Sequence, residues 1–372
     1  MTFYTVFDPK NLLTLAKVHQ DAFIALGNIE KDLNTRFAEM QDPILAIILA
    51  VASGESLLFN GPPGTAKSWL VRAFCHYIGI DPDKSGETDS DNSETDYFEY
   101  LLTPFTEPGE LFGYFDIAEA SKSGGKLVRD DSGMIQNAKV VYLDEVFKGS
   151  SAILNSLLAF MNERVFHDRG KRIPVQAHCL FGATNQVPYT SELRAIYDRF
   201  ILRCDIRNLE ARPKDMRSLL NKGWKETYRP PKPTSFPNLL DQLQDFRGKA
   251  NDLLTGANPI TGRSDDFLEK LTMYVNIIRS RGLSEMSNRR IIKFLSIMMV
   301  HSIYQSANVL KRAHEIRKKK GKPTDNENKI LEYAKTLLEH GIRFTDHELL
   351  LYRFMVDRRD EFDEEHLMLK QS

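Results

Sequence analysis

Nothing at the start of this chain, MTFYTVFDPK, has the basic residues and apolar run of a secretion signal. The longest uninterrupted apolar stretch, Ile44 to Ala52, is far short of the roughly 20 residues a helix needs to cross a bilayer. Cysteine is scarce: Cys75, Cys179 and Cys204 are odd in number and show no CxxC spacing. That argues against a disulfide framework or a zinc site, fits a reducing compartment and leaves the three as small core residues. An excess of one charge is missing too, because 50 Lys and Arg face 51 Asp and Glu, for a net charge of −1. The chain as a whole therefore exerts no strong pull on nucleic acid or anionic lipid. A cytoplasmic protein without membrane insertion is expected. What is present is ordinary for a globular chain, 42% hydrophobic and 27% charged residues, and 372 residues give room for two or three domains.

Apolar positions at helical spacing run from about Asn11 to Ala52 and predict leading helices. Ser56 to Asn60 then reads as a strand, followed by a Gly/Pro turn and an amphipathic helix from Lys67 to Ile78. Further strand-like runs lie at Glu99–Thr103, Lys139–Leu143, His178–Ala183 and Ile201–Ile206, with an amphipathic stretch at Ala152–Asn162. Alternating strands and helices predict a parallel sheet covered by helices on both faces. Asp81 to Asp96 is acidic and nearly free of apolar side chains, which predicts a surface loop. Arg229 to Pro237 (RPPKPTSFP) disfavours helix and sheet alike and marks the domain boundary. Beyond it the periodic runs are helical, at about Asp266–Arg279, Asn288–Lys318, Asn328–His340 and Asp346–Arg358. The expected organisation is a nucleotide-binding core over 1–228, a linker over 229–237 and an all-α domain over 238–372.

The decisive feature is GPPGTAKS, Gly61 to Ser68, between a strand and a helix. A turn there aims backbone N–H groups and a helix N-terminus at anionic oxygens, with a lysine on the outer phosphates and a hydroxyl on Mg2+. Lys67 and Ser68 suit those two roles. The usual pattern GxxxxGK[ST] has a second glycine where this chain has Ala66, so the backbone there is expected to avoid a conformation that requires glycine. Lys139–Leu143 ends in Asp144 and Glu145, the first able to hold Mg2+ and the second to polarise the water that attacks a γ-phosphate. A solvated acidic pair is the plainer reading of those two in isolation. Asn185, at the end of another strand, could orient that water or could simply form a turn. Arg199, in Asp198-Arg199-Phe200, could place a cation on developing charge, although on sequence alone a surface ion pair is the simpler account.

In this order and spacing the four elements resemble the AAA+ ATPases, with Walker A at GPPGTAKS, Walker B at VVYLDE, sensor 1 at Asn185 and an arginine finger at Arg199. TEPGELFG (Thr106–Gly113), LDEVFKGSSAILNSLLAFMNER (Leu143–Arg164), GATNQVP (Gly182–Pro188) and YDRF (Tyr197–Phe200) resemble the MoxR group, especially its RavA-like branch. Downstream, MSNRR (Met286–Arg290) is similar to the sensor 2 motif, which would put Arg289 on the nucleotide, with Arg290 beside it leaving the choice between the two open. The resemblance implies an α/β AAA+ P-loop core with a parallel five-stranded sheet flanked by helices, followed by an all-α lid. It implies ATP and Mg2+ as ligands, held by Gly61, Pro62, Pro63, Gly64, Thr65, Ala66, Lys67, Ser68, Trp69 and Arg289, with the metal on Ser68 and Asp144. Hydrolysis would fall to Glu145, Asn185 and, from the next subunit of a homo-hexameric ring, Arg199. An insertion at about Pro104–Gly133 and a hairpin at about Val165–Val175 would project from the core and could touch substrate. The expected partner is a protein client that the ring remodels or matures, in this family often one with a von Willebrand A (vWA) domain. A DNA-dependent motor and a nucleotide-gated scaffold are the competing readings; the near-neutral charge disfavours the first, and the presence of Glu145 and Arg199 the second.

Overall fold

The computed structural model describes residues 2–84, 96–116, 128–168, 170–188, 190–209, 212–228, 233–255, 260, 264–319 and 321–356. Most of the acidic segment 81–96, the middle of the 104–133 insertion, Arg169, residues 229–232 of the Pro-rich segment and the last expected helix from 357 onward lie outside them. The chain forms two compact units, one of residues 33–50 and 54–237, the other of residues 1–32, 51–53 and 238–372.

The first unit is built on five parallel strands, β1 (Leu57–Asn60), β2 (Tyr97–Leu101), β3 (Val140–Asp144), β4 (Cys179–Thr184) and β5 (Leu202–Asp205), in the order β5-β1-β4-β3-β2. Leu57, Leu58, Phe59, Val140–Leu143 and Cys179–Ala183 are buried in unbroken runs, as strands sandwiched between helices require. Tyr97–Leu101, at the sheet edge, passes from buried to exposed along its length, and it begins two residues earlier than periodicity suggests. Pairing sets Asn60 beside both Thr184 and Asp205, and Leu143 beside Gly182. The carboxyl ends of β1, β3 and β4 therefore open on one edge, the place where parallel α/β sheets bind ligands. Behind them Gly182 admits the ring of Phe200, which would stand 2.6 Å from a Cβ at that position.

Two further elements pack on this unit, with Leu111, Phe112 and Phe166 in its buried core. The hairpin Val165–Asp168/Lys171–Pro174 follows the Ser151–Glu163 helix, and the insertion contributes the helix Pro108–Phe112 and the strand pair Phe115–Asp116/Val128–Arg129. Arg129 braces them together, lying 4.3 Å over the Phe115 ring and 3.3 Å from Asp168.

The second unit is helical. Leu239–Thr255, Asp265–Ser280, Asn288–Lys318 and Asp325–His340 pack with the leading helix Pro9–Val18 and the start of Gln20–Arg36. The leading residues 1–32, expected within the 1–228 core, belong here instead. Their apolar side chains explain it: Tyr4 meets Phe267, Phe7 meets Phe344 and Phe23 meets Phe246 at ring distances of 5.5, 5.7 and 4.9 Å. Phe3 and Tyr4 also pair as a short strand with Phe344 and Thr345. No helix among the described residues is long and apolar enough to cross a membrane.

Candidate functional site

The loop after β1 is pinned from both sides. Gly61 N–H donates to the Thr184 carbonyl at 3.0 Å, and a Cβ at Gly61 would stand 2.0 Å from the Ile206 carbonyl oxygen at a φ of +156°. Only glycine fits there. Thr65 Oγ1 donates to the Pro62 carbonyl at 2.9 Å and closes the turn. Gly64 has φ +80°, and Ala66, at the boundary of the Lys67–Tyr77 helix, sits at φ 61°, ψ 28°. The expectation that Ala66 avoids a glycine-like conformation is overturned: the loop must reverse into the helix at that residue, and the surrounding contacts impose the left-handed torsion despite the Cβ. The first N–H groups of the helix have no partners within it and face the loop. Ser68 and the 41% exposed Trp69 occupy its first turn.

Lys67 is 7% exposed. Its ammonium donates to the carbonyls of Gly61 at 2.7 Å and Pro62 at 2.9 Å and approaches Asn185 Oδ1 at 3.4 Å. Burial pulls its pKa down, and the carboxylates of Asp144 and Glu145 oppose that shift. At the end of β3, Asp144 Oδ1 accepts the Glu145 N–H at 2.9 Å. Burial raises the Asp144 pKa above the usual carboxylate value; the hydrogen bond from Glu145 lowers it, as does the charge of Lys67. Glu145 itself adopts a left-handed backbone, φ 50°, ψ 43°, and its Oε1 accepts a hydrogen bond from Asn185 Nδ2. Lys67, Asn185 and Glu145 thus form one connected row above the sheet edge, with Asp144 alongside.

Lys148, to which sequence reasoning gave no role, belongs to this cluster, with Nζ 3.5 Å from Glu145 Oε1. The available signal was its spacing three residues after Glu145, which one turn of helix brings to the same side.

Arg199 is not part of the row. It precedes β5, whose first residue Leu202 lies beside Leu57 at the start of β1, whereas the loop leaves the far end of β1. Four strand residues, about 13 Å, separate those two levels. Arg199 contacts its neighbour Asp198 at 3.3 Å, and its buried Nε has no hydrogen-bond partner among the described residues. Arg289 and Arg290 lie in the helical unit, in the first turn of Asn288–Lys318. Arg290 is fully buried, donating to Ser284 Oγ at 2.7 Å and to the Met355 carbonyl, while Arg289 is half-buried.

Chemically, the row offers a dry cation, a cradle of N–H groups, two carboxylates and an amide. That set suits a bound phosphate chain and a hydrolytic water.

A family profile described as the MoxR domain in the MoxR-vWA-beta-propeller ternary systems matches residues 25–245. Two uncharacterized proteins of Methanocaldococcus jannaschii are 35% and 38% identical over 228 and 188 residues, which is 61% and 50% of this chain. The chain spans about half the length of these curated relatives, 54% and 46%. A structural protein of Acidianus two-tailed virus is 28% identical over 48% of this chain and 27% of its own length. Among solved structures, a candidate ATPase from Cytophaga hutchinsonii superimposes with a TM-score of 0.55 at 13% identity, over 93% of this chain and 98% of that one, and shows a shared fold.

Proposed function

The chain belongs to the MoxR-domain family of the MoxR–vWA–β-propeller ternary systems, and from that premise we propose that it is a magnesium-dependent ATPase that works as a hexameric ring and remodels or matures a protein partner. The carrying observation is a division across one sheet: Lys67, Asp144, Glu145 and Asn185 gather at one edge, while Arg199 starts from the other. The partner is a vWA-domain protein, a reading supported by the family description. The segments Thr106–Gly113 and Leu143–Arg164 favour the RavA-like branch.

The residues suit the nucleotide and its metal. Gly64, at a φ of +80°, has nothing within 4 Å of where a Cβ would stand, so the loop backbone is open there, Lys67 is a buried cation, and the Ser68 hydroxyl and Asp144 carboxylate are the hard oxygen donors that Mg2+ prefers. When bound, Mg2+ neutralises charge on the transferring phosphoryl group. The loop from Gly61 to Trp69 wraps the triphosphate, and Lys67 faces its outer oxygens. Glu145 accepts the proton of the attacking water; Asn185 holds its Oε1, which leaves Oε2 to serve as base, and Lys148 adds a cation beside it. Arg199 meets the nucleotide of the adjacent protomer. Arg289 takes the sensor 2 role, because Arg290 is committed to Ser284 and Met355 inside the helical unit.

Glu145→Gln tests this reading. Turnover should fall about 10²–10⁴-fold while ATP binding persists, and the ATP-loaded variant should co-purify with a vWA-domain protein. Undiminished hydrolysis would refute the catalytic assignment, and recovery of nucleic acid alone would refute the partner.

A further inference from the structure

The helix Pro213–Tyr228 is built inside out. Its inward positions Asp215, Ser218, Lys222 and Glu226 are polar and wholly or partly buried. Glu226 is buried in an ion pair with Arg36, whose Nε lies 3.0 Å from Glu226 Oε2 and whose Nη1 donates to Tyr77 Oη at 3.0 Å. Lys222 Nζ donates to the carbonyls of Asn34 and Phe37 at 2.9 Å each. The outward positions Met216, Leu219, Leu220, Trp224 and Tyr228 are apolar or aromatic and between 39% and 68% exposed. A surface helix ordinarily shows the opposite arrangement.

The stripe is continuous. From Met216 to Tyr228 it runs about 18 Å, and the Trp224 and Tyr228 rings lie 4.7 Å apart at one end. Lys214, Arg217 and Lys225 flank it and are exposed. The helix's own carboxylates do not offset them, since Glu226 is bound to Arg36 and Asp215 pairs with Arg212 at 3.4 Å. An exposed apolar surface with a charged rim is the ordinary anatomy of a protein-binding site, and Trp and Tyr are common anchors in one.

We propose that this face docks an acidic amphipathic helix of a partner protein. One helix matches the length of the stripe, its apolar face covers Met216, Leu219, Leu220, Trp224 and Tyr228, and its carboxylates meet Lys214, Arg217 and Lys225. Nucleic acid fits less well, because the methionine and two leucines offer bases neither stacking nor hydrogen bonds.

Trp224 reports on its own surface. In the full chain carrying Trp69→Phe it is the sole tryptophan, so its emission can be followed on titration with a synthetic helix of about five turns that has leucines on one face and glutamates at the flanks. The emission should shift to the blue and saturate. A lysine-flanked version of the peptide should bind about tenfold more weakly, and charge reversal at Lys214, Arg217 and Lys225 should invert that order. Leu220→Glu should abolish the response without changing the thermal melt. Equal response to both peptides, or a response to single-stranded DNA in place of the acidic peptide, would overturn the proposal. So would a fall in sedimenting mass caused by Leu220→Glu, which would show the face covered by a second copy of this chain.

Discussion

Ala66 holds a left-handed backbone that costs an L-residue about 1–2 kcal/mol, at the joint between the phosphate loop and its helix. Replacing it with glycine removes the Cβ conflict, which outweighs the added unfolded-chain entropy that opposes folding, so Ala66→Gly should stabilise the protein by about 1 kcal/mol in chemical denaturation. A loss of stability would show that the alanine methyl packs usefully. Glu145 carries a similar torsion. Neither was legible in the sequence, because a left-handed alanine or glutamate is imposed by neighbours rather than preferred by the residue. The chemistry was more legible than the conformation. Lys67 followed from the Gly61–Ser68 turn, Asp144, Glu145 and Asn185 from where strands end, and the structure brings them together. Lys148 escaped because its spacing three residues after Glu145 is a common one and gains meaning only once both stand at the sheet edge.

The five strands were readable as buried apolar runs, and helical periodicity placed the long helix at about Asn288–Lys318, where it lies. Other elements were not. Pro213–Tyr228 and Leu239–Thr255 went unseen, the former because its buried side is ionic and its apolar side faces out. Within Asn288–Lys318, Ile292 is 70% exposed although it shares the apolar stripe with the buried Met298 and Met299. The close approach of Phe200 to Gly182 is another feature only the fold reveals. Gly182→Ala should cost about 1–3 kcal/mol by overpacking, and Phe200→Leu in the same chain should return part of that in thermal melts. If the double variant is no more stable than the single one, the ring is not what the alanine strikes.

For the molecule as a whole, sequence periodicity announced helices at both ends of the chain but could not say that residues 1–32 fold with 238–372, because a helical stripe does not name the surface it covers. Placing Arg199 across the sheet from Lys67 gives a test of assembly. Lys67→Ala and Arg199→Ala should each be inactive alone. Mixed in equal amounts they should recover up to about a quarter of wild-type turnover, since about that share of randomly formed interfaces keeps both intact residues. No recovery at any ratio would mean that Arg199 does not serve a neighbouring site.

That separation follows from strand pairing, which sets Leu202 beside Leu57 at the start of the strand whose far end carries the loop. On the proposed reading, a solitary copy would hold a nucleotide yet have no means of consuming it. Local abundance would then act as the throttle: crowding the protein onto a shared scaffold would switch it on, and dispersal would leave a quiet reservoir of loaded monomers.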